Sequence, residues 1–152
     1  MTRNVQSAAA LLGRLLLCAI FFESGFGKLT GWERARQAME ARGMPAAQLG
    51  LPVAVVAELA GGLALLLGFR VRVGAVVLLA FLVPATFYFH NFWTYPAEQA
   101  RGQMIHFFKN LAIMGGLLTV AAHGAGAWSL DARRQSKFPS PKSKIDGSEA
   151  GP

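Results

Sequence analysis

The chain has 152 residues, 53% of them hydrophobic and only 15% charged, with a formal net charge of +7. It is too apolar for an ordinary soluble fold, and its length leaves little room for a separate soluble catalytic module. One cysteine, Cys18, excludes thiol relay within the chain, and the basic residues flank apolar runs without forming a nucleic-acid-reading motif.

Four segments reach the roughly 20 apolar residues that a membrane-crossing helix needs: Ala8 to Phe26, Leu51 to Phe69, Val73 to Phe92, and Ile105 to about Ala122. They predict an all-α fold, an integral membrane four-helix bundle. Arg14 interrupts the first run and no small-x-small cleavage site follows before Lys28, so this run reads as a retained span and not as a signal peptide. Next comes "GWERARQAMEARGMP", which places Trp32, Ala35 and Met39 on one helical face and ends in the stop signals Gly43 and Pro45. This predicts a short interfacial helix between spans one and two. Arg70-Val71-Arg72 is a tight basic corner joining spans two and three as an antiparallel hairpin. Pro84 should kink span three and could open a lateral pocket, while Trp93 and Tyr95 belong at headgroup level.

These elements form one transmembrane domain, 1–128. From Arg133 the sequence "RRQSKFPSPKSKIDGSEAGP" has too few apolar residues to offset the entropy of ordering it, so 129–152 reads as a disordered basic cytoplasmic tail. Eight Lys and Arg lie on the side of the termini and five on the other, or six against five without Lys142 and Lys144. The positive-inside rule then puts both termini in the cytoplasm.

Alternating spans also fix depth. Glu23 lies near the end of span one with Lys28 just beyond it, Glu58 lies in the first half of span two, His90 and Asn91 close span three, and His106, Lys109 and Asn110 open span four. At ~1.5 Å per residue all fall within roughly 10 to 12 Å of one membrane face. A lone charge at the centre of a membrane helix costs ~2.5 to 3.5 kcal/mol, which favours turning these side chains toward one another. Two carboxylates, Glu23 and Glu58, would be balanced by Lys28 and Lys109, and His106, Lys109 and Asn110 share a stripe at i, i+3, i+4. Glu58 precedes Gly61 and Gly62, which let a neighbouring backbone come close. Arg14 sits nearer the opposite face as a structural polar group, snorkelling or bonding across helices. Either the layer binds something or its ion pairs only fix helix register.

The residue types favour a quinone or similar amphipathic ligand, for which Phe21, Phe22, Phe107 and Phe108 supply apolar walls and Glu23, Glu58, His106 and Lys109 supply proton exchange. His90 and His106 raise haem as a lesser candidate. No tight His/Cys cluster suggests zinc, and Ser24 has no base partner for hydrolysis. With no recognised redox centre in the chain, electrons would need an external partner.

Arg14 with "FFESGFGKL", then "ELAGGLALLLGFRVRVGA", then "HFFKNLAIMGGLL" resemble, in order and spacing, the DoxX family of small four-helix membrane proteins over Leu11 to Ala122. The resemblance implies a bacterial inner-membrane protein, a subunit or accessory factor of a quinone-linked oxidase or oxidoreductase system. It carries over no agreed catalytic residue. The alternative is an assembly or chaperone-like membrane protein whose polar layer is structural, and the glycine faces leave room for a homo-oligomer.

Overall fold

The computed structural model describes residues 2–137, and every regular element among them is helical. In chain order these are α1 (Arg3–Thr30), α2 (Trp32–Ala41), α3 (Ala47–Leu67), α4 (Val71–Phe89), a 3-10 turn at Phe92–Thr94, α5 (Ala97–His123) and α6 (Leu130–Lys137). Helices α1, α3, α4 and α5 are long and apolar enough to cross a membrane, which gives the expected four-helix membrane bundle. The helices begin earlier than the apolar runs alone indicate. α5 starts eight residues before Ile105, after Pro96 and with Glu98 in its first turn. Both features favour a helix start, so α5 extends about 12 Å past its apolar run.

α1 packs antiparallel on α3, α3 on α4 and α4 on α5, and the contact between α5 and α1 is sparser. On α1 the inward line is Arg14, Cys18, Phe21 and Gly25; on α3 it is Leu51, Val55, Glu58, Gly62 and Leu65. Both lines alternate steps of three and four residues, the spacing that keeps one seam facing a neighbour. The register of the pair follows from its close approaches. A Cβ on Gly25 would stand 2.7 Å from Leu59 Cδ2, and one on Gly62 would stand 3.4 Å from Phe22 Cε1. Around this pair Leu65, Val71, Ala75, Leu78, Leu82 and Leu117 complete the core. Lipid tails are as apolar as these side chains, so the packing gains dispersion and closeness of fit more than transfer out of water.

α2 carries the predicted face, but uses it differently. Met39 is buried with Ala47, Leu51 and Val55, with Ala35 and Phe89 packed beside them, while Trp32 stays exposed. The short helix is thus anchored to the bundle through Met39.

At the opposite end α3 stops at Gly68, whose φ of +62° lets Phe69 N–H reach back to Ala64 C=O at 3.1 Å. Arg70 follows at φ +46°, a left-handed conformation that costs a non-glycine residue about 1–2 kcal/mol. Asp131 holds it there: Oδ1 accepts from Arg70 N–H at 2.8 Å, Oδ2 accepts from Val71 N–H at 3.0 Å, and Asp131 N–H donates to Gly68 C=O at 2.9 Å. This corrects the reading of 129–152 as a tail without structure. Its first part folds as α6 because one carboxylate caps α4 across more than sixty residues of sequence. The rest of the expected tail lies outside the described residues. α4 runs as one helix through Pro84, and the groove of about 600 Å³ lies at the Arg70 end and not beside Pro84.

Candidate functional site

The register of α1 against α3 sets two charges side by side. Lys28 continues the inward line of α1 one turn beyond Ser24, and its Nζ donates to Ser24 Oγ at 2.6 Å and to Glu58 Oε1 at 2.9 Å. A third, longer contact runs to Ser24 C=O at 3.5 Å. Glu58 is 1% exposed, whereas the Lys28 side chain is 25% exposed, so the pair opens to its surroundings on the lysine side. The Phe81 ring of α4 lies 5.8 Å from the ammonium. Among the described residues Glu58 Oε2 has no hydrogen-bond partner, although it is buried. Leaving such an acceptor unmade costs about 1–3 kcal/mol. Gly25 makes the arrangement fit: a Cβ there would meet Leu59 and, at 3.5 Å, Glu58 Cβ.

The predicted layer is thereby reduced. Glu23 is exposed, because it stands two residues from both Phe21 and Gly25 and so on the far side of α1 from the inward line. His106 and Lys109 are exposed on α5, where Lys109 Nζ and His106 Nδ1 are 3.3 Å apart. No hydrogen bond or ion pair among the described residues joins Glu23, His106 or Lys109 to Glu58, so Lys109 does not balance a buried carboxylate. Asn110 is buried, but it donates to Thr86 Oγ1 of α4 at 3.0 Å, and Thr86 in turn donates to Leu82 C=O. One residue along a helix rotates the side chain by about 100°, which is why Lys109 and Asn110 part company within a shared stripe.

His90 and His106 do meet. Their rings stack with centroids 5.1 Å apart at 27°, and His90 Nδ1 lies 2.8 Å from Gln103 Oε1. Stacked face to face, the two rings leave no room for a porphyrin between them, which sets the haem reading aside. No group of three His, Cys, Asp or Glu among the described residues could hold a metal ion.

Arg14 takes the across-helix role. It is 1% exposed, donates from Nη1 to Leu65 C=O at 2.9 Å and from Nη2 to Trp128 C=O at 2.6 Å, and faces no carboxylate in these bonds. It straps α1 to the end of α3 and to the segment leading into α6. Sequence reasoning missed Ser24, Thr86 and Asp131 as partners. Only Ser24 left a local signal, its i, i+4 spacing from Lys28.

Across this framework the DoxX family model matches residues 9–91, and the SURF4 family model matches residues 52–137. Inner membrane protein YqjF of Escherichia coli K12 is 37% identical over 129 residues, covering 85% of this chain and 94% of that protein. Inner membrane protein YphA of the same organism is 33% identical over 123 residues, covering 81% and 88%. A Surfeit locus protein 4 homolog of Drosophila melanogaster is 30% identical over 71 residues, 45% of this chain and 26% of that protein. No solved structure matches. The two bacterial relatives span nearly their whole length on this chain, Arg14, Lys28 and Glu58 lie inside the first matched stretch, and four apolar helices carry them: the chain is an integral membrane protein of the DoxX family.

Proposed function

We propose that the Ser24, Lys28 and Glu58 cluster binds the polar head of a lipid-soluble molecule, a quinone or quinol, and that the protein serves as a subunit or accessory factor of a redox enzyme that supplies the electrons. The observation that carries this reading is Glu58, 1% exposed, whose buried Oε2 has no partner among the described residues, beside a lysine that remains partly accessible. A quinol hydroxyl can donate to Oε2. The ammonium can turn its loosest bond, the 3.5 Å contact to Ser24 C=O, toward a quinone carbonyl. Intramembrane ionisable residues are costly, and a site that uses them offsets that cost with function. The names of the two bacterial relatives support placement in the inner membrane, and the excess of basic residues on the Arg70 side supports cytoplasmic termini.

The test is titration of the protein in lipid nanodiscs with a short-chain quinone, read by quenching of tryptophan emission. Glu58→Gln and Lys28→Met should each raise Kd about tenfold, the equivalent of one good hydrogen bond, with normal protein yield. Unchanged Kd in both variants would sink the reading.

A second reading rests on a different observation. All three hydrogen-bonding directions of Lys28 are occupied, as expected of a bond that only fixes the register of α1 on α3. It predicts that Glu58→Gln lowers folded yield while Ser24→Ala binds quinone no differently from the parent. A binding role predicts a weaker Kd in the milder Ser24→Ala as well.

A further inference from the structure

The Glu58 cluster leaves the opposite end of the bundle without a role. There the α3–α4 corner, the end of α5 and α6 line the open groove of about 600 Å³. Arg70 and Arg72 enter it from the start of α4 and Arg134 from α6, above an apolar wall that includes Val73. All three arginines are exposed, and among the described residues none forms an ion pair. The acid lining the groove, Asp131, is already committed to the backbone N–H groups of Arg70 and Val71, so the N-terminus of α4 is occupied and the free positive charge belongs to the guanidiniums.

The two ends of the molecule differ in charge. On the groove end the described residues include Arg3, Arg70, Arg72, Arg133, Arg134 and Lys137 against one acid, Asp131. On the other end Lys28, Arg34, Arg36, Arg42, Arg101 and Lys109 face Glu23, Glu33, Glu40, Glu58 and Glu98, which is close to balance. A scattered excess of cations would serve orientation alone. Here the cations converge on a recess whose geometry depends on a folded α6, and α6 is docked by three hydrogen bonds through Asp131. The recess also has an apolar side, and exposed Phe69 and Trp128 stand at the same end, as residues at headgroup level do. Guanidinium forks match phosphate oxygens in pairs.

From this convergence of Arg70, Arg72 and Arg134 over an apolar wall at headgroup depth, we propose that the groove is a binding site for the phosphate headgroup of an anionic phospholipid. The phosphate sits between the guanidiniums and the first acyl carbons lie along Val73. α6 then reads out the lipid, because its Arg134 contributes to the site and its Asp131 builds it.

Trp128 is the tryptophan at this end, with Trp32 and Trp93 at the other, so a Trp32→Phe, Trp93→Phe background makes it the reporter. The full chain is reconstituted in phosphatidylcholine vesicles containing either brominated phosphatidylglycerol or brominated phosphatidylcholine at equal mole fraction. Trp128 should be quenched preferentially by the anionic lipid, and that preference should fall about fivefold for each of Arg72→Gln and Arg134→Gln. The double variant Arg3→Gln, Arg133→Gln removes twice the charge of either groove variant from the same end outside the groove, and should leave the preference in place. Equal loss in that control, or no loss in the groove variants, overturns the proposal. So does competition by inorganic phosphate or glycerol phosphate in solution, which would make the site one for free anions. Both groove arginines are exposed, so the single variants should keep the parent's thermal unfolding profile. Should one unfold, the other carries the test.

Discussion

Arg14 and Lys28 are both cations of α1, fourteen residues or about 21 Å apart on nearly the same face, yet their surroundings differ in kind. Arg14 is fully buried and, among the described residues, bonds only to main-chain carbonyls, Leu65 C=O and Trp128 C=O, its Nε making no bond. Lys28 is a quarter exposed and bonds to a carboxylate that keeps one oxygen unmatched. A guanidinium facing two carbonyls cannot exchange a proton at physiological pH and holds two chain ends together in a fixed fork. An ammonium beside a half-satisfied carboxylate can exchange partners. On the function proposed above the first arrangement serves stability and the second exchange, although an insertion scale prices both as the same kind of defect.

The contrast breaks most sharply at Arg14. Arg14→Met takes the side-chain donor from Trp128 C=O and from Leu65 C=O, which keeps only the longer bond from Gly68 N–H at 3.3 Å, and releases the segment before α6. The guanidinium's own desolvation offsets part of the loss, so we expect destabilisation of about 2–4 kcal/mol. A thermal unfolding midpoint in detergent measures it, and Arg14→Lys should fail to restore it because one ammonium lacks the fork. Quinone affinity per folded molecule should stay at the parent value. If affinity fell with stability, the two nodes would be one unit and the distinction between them would fail.

Gly25 sharpens the other side. Gly25→Ala puts a methyl group 2.7 Å from Leu59 Cδ2 and 3.0 Å from Leu59 Cγ, so the Leu59 side chain must turn aside or α1 must lift from α3 where Lys28 meets Glu58. A cost of roughly 1–3 kcal/mol and a weakened quinone Kd should appear together. Gly27→Ala, whose Cβ would meet nothing within 4 Å, should be neutral or slightly stabilising by helix propensity. Equal behaviour of the two alanines would mean that close approach of the helices does not build the site.

The same contrast explains what the sequence could tell. Depth is legible, because alternating spans and a fixed rise per residue put Glu58 and Lys28 near one face. Azimuth is harder. Glu23 and Ser24 sit at the same depth, but only the line through Arg14, Cys18, Phe21, Gly25 and Lys28 points inward. That line is visible in the sequence once the heptad spacing of small and polar residues is followed instead of hydrophobicity, which is nearly uniform around a membrane helix. The Asp131 cap lay beyond reach. Nothing in a polar stretch sixty residues away marks it as the partner of Arg70 and Val71, and a low apolar content argued against folding there at all. Here the tertiary contact prevails over local composition.

The weakest member of the series is the exposed network on α2, where Arg36 bonds to Glu33 and Glu40 and Gln37 also donates to Glu33. These hydrogen bonds, the one from Arg36 foremost, hold the Glu33 carboxyl below its ordinary range. The folded-state value is therefore lower than the unfolded one, so the carboxylate stabilises α2 above the unfolded value, and that stabilisation is lost as pH falls through the folded one. Solvent screens such pairs, so the effect should be local. Amide hydrogen exchange across Trp32–Ala41, corrected for intrinsic rate, should speed up between about pH 5 and about pH 3. In Glu33→Gln it should change much less over the same interval, and protection in α3 should stay level in both. If α2 lost protection equally with and without the Glu33 carboxyl, its docking through Met39 would account for its stability, and carboxylate pairing would matter in this fold only where, as at Glu58, it is buried.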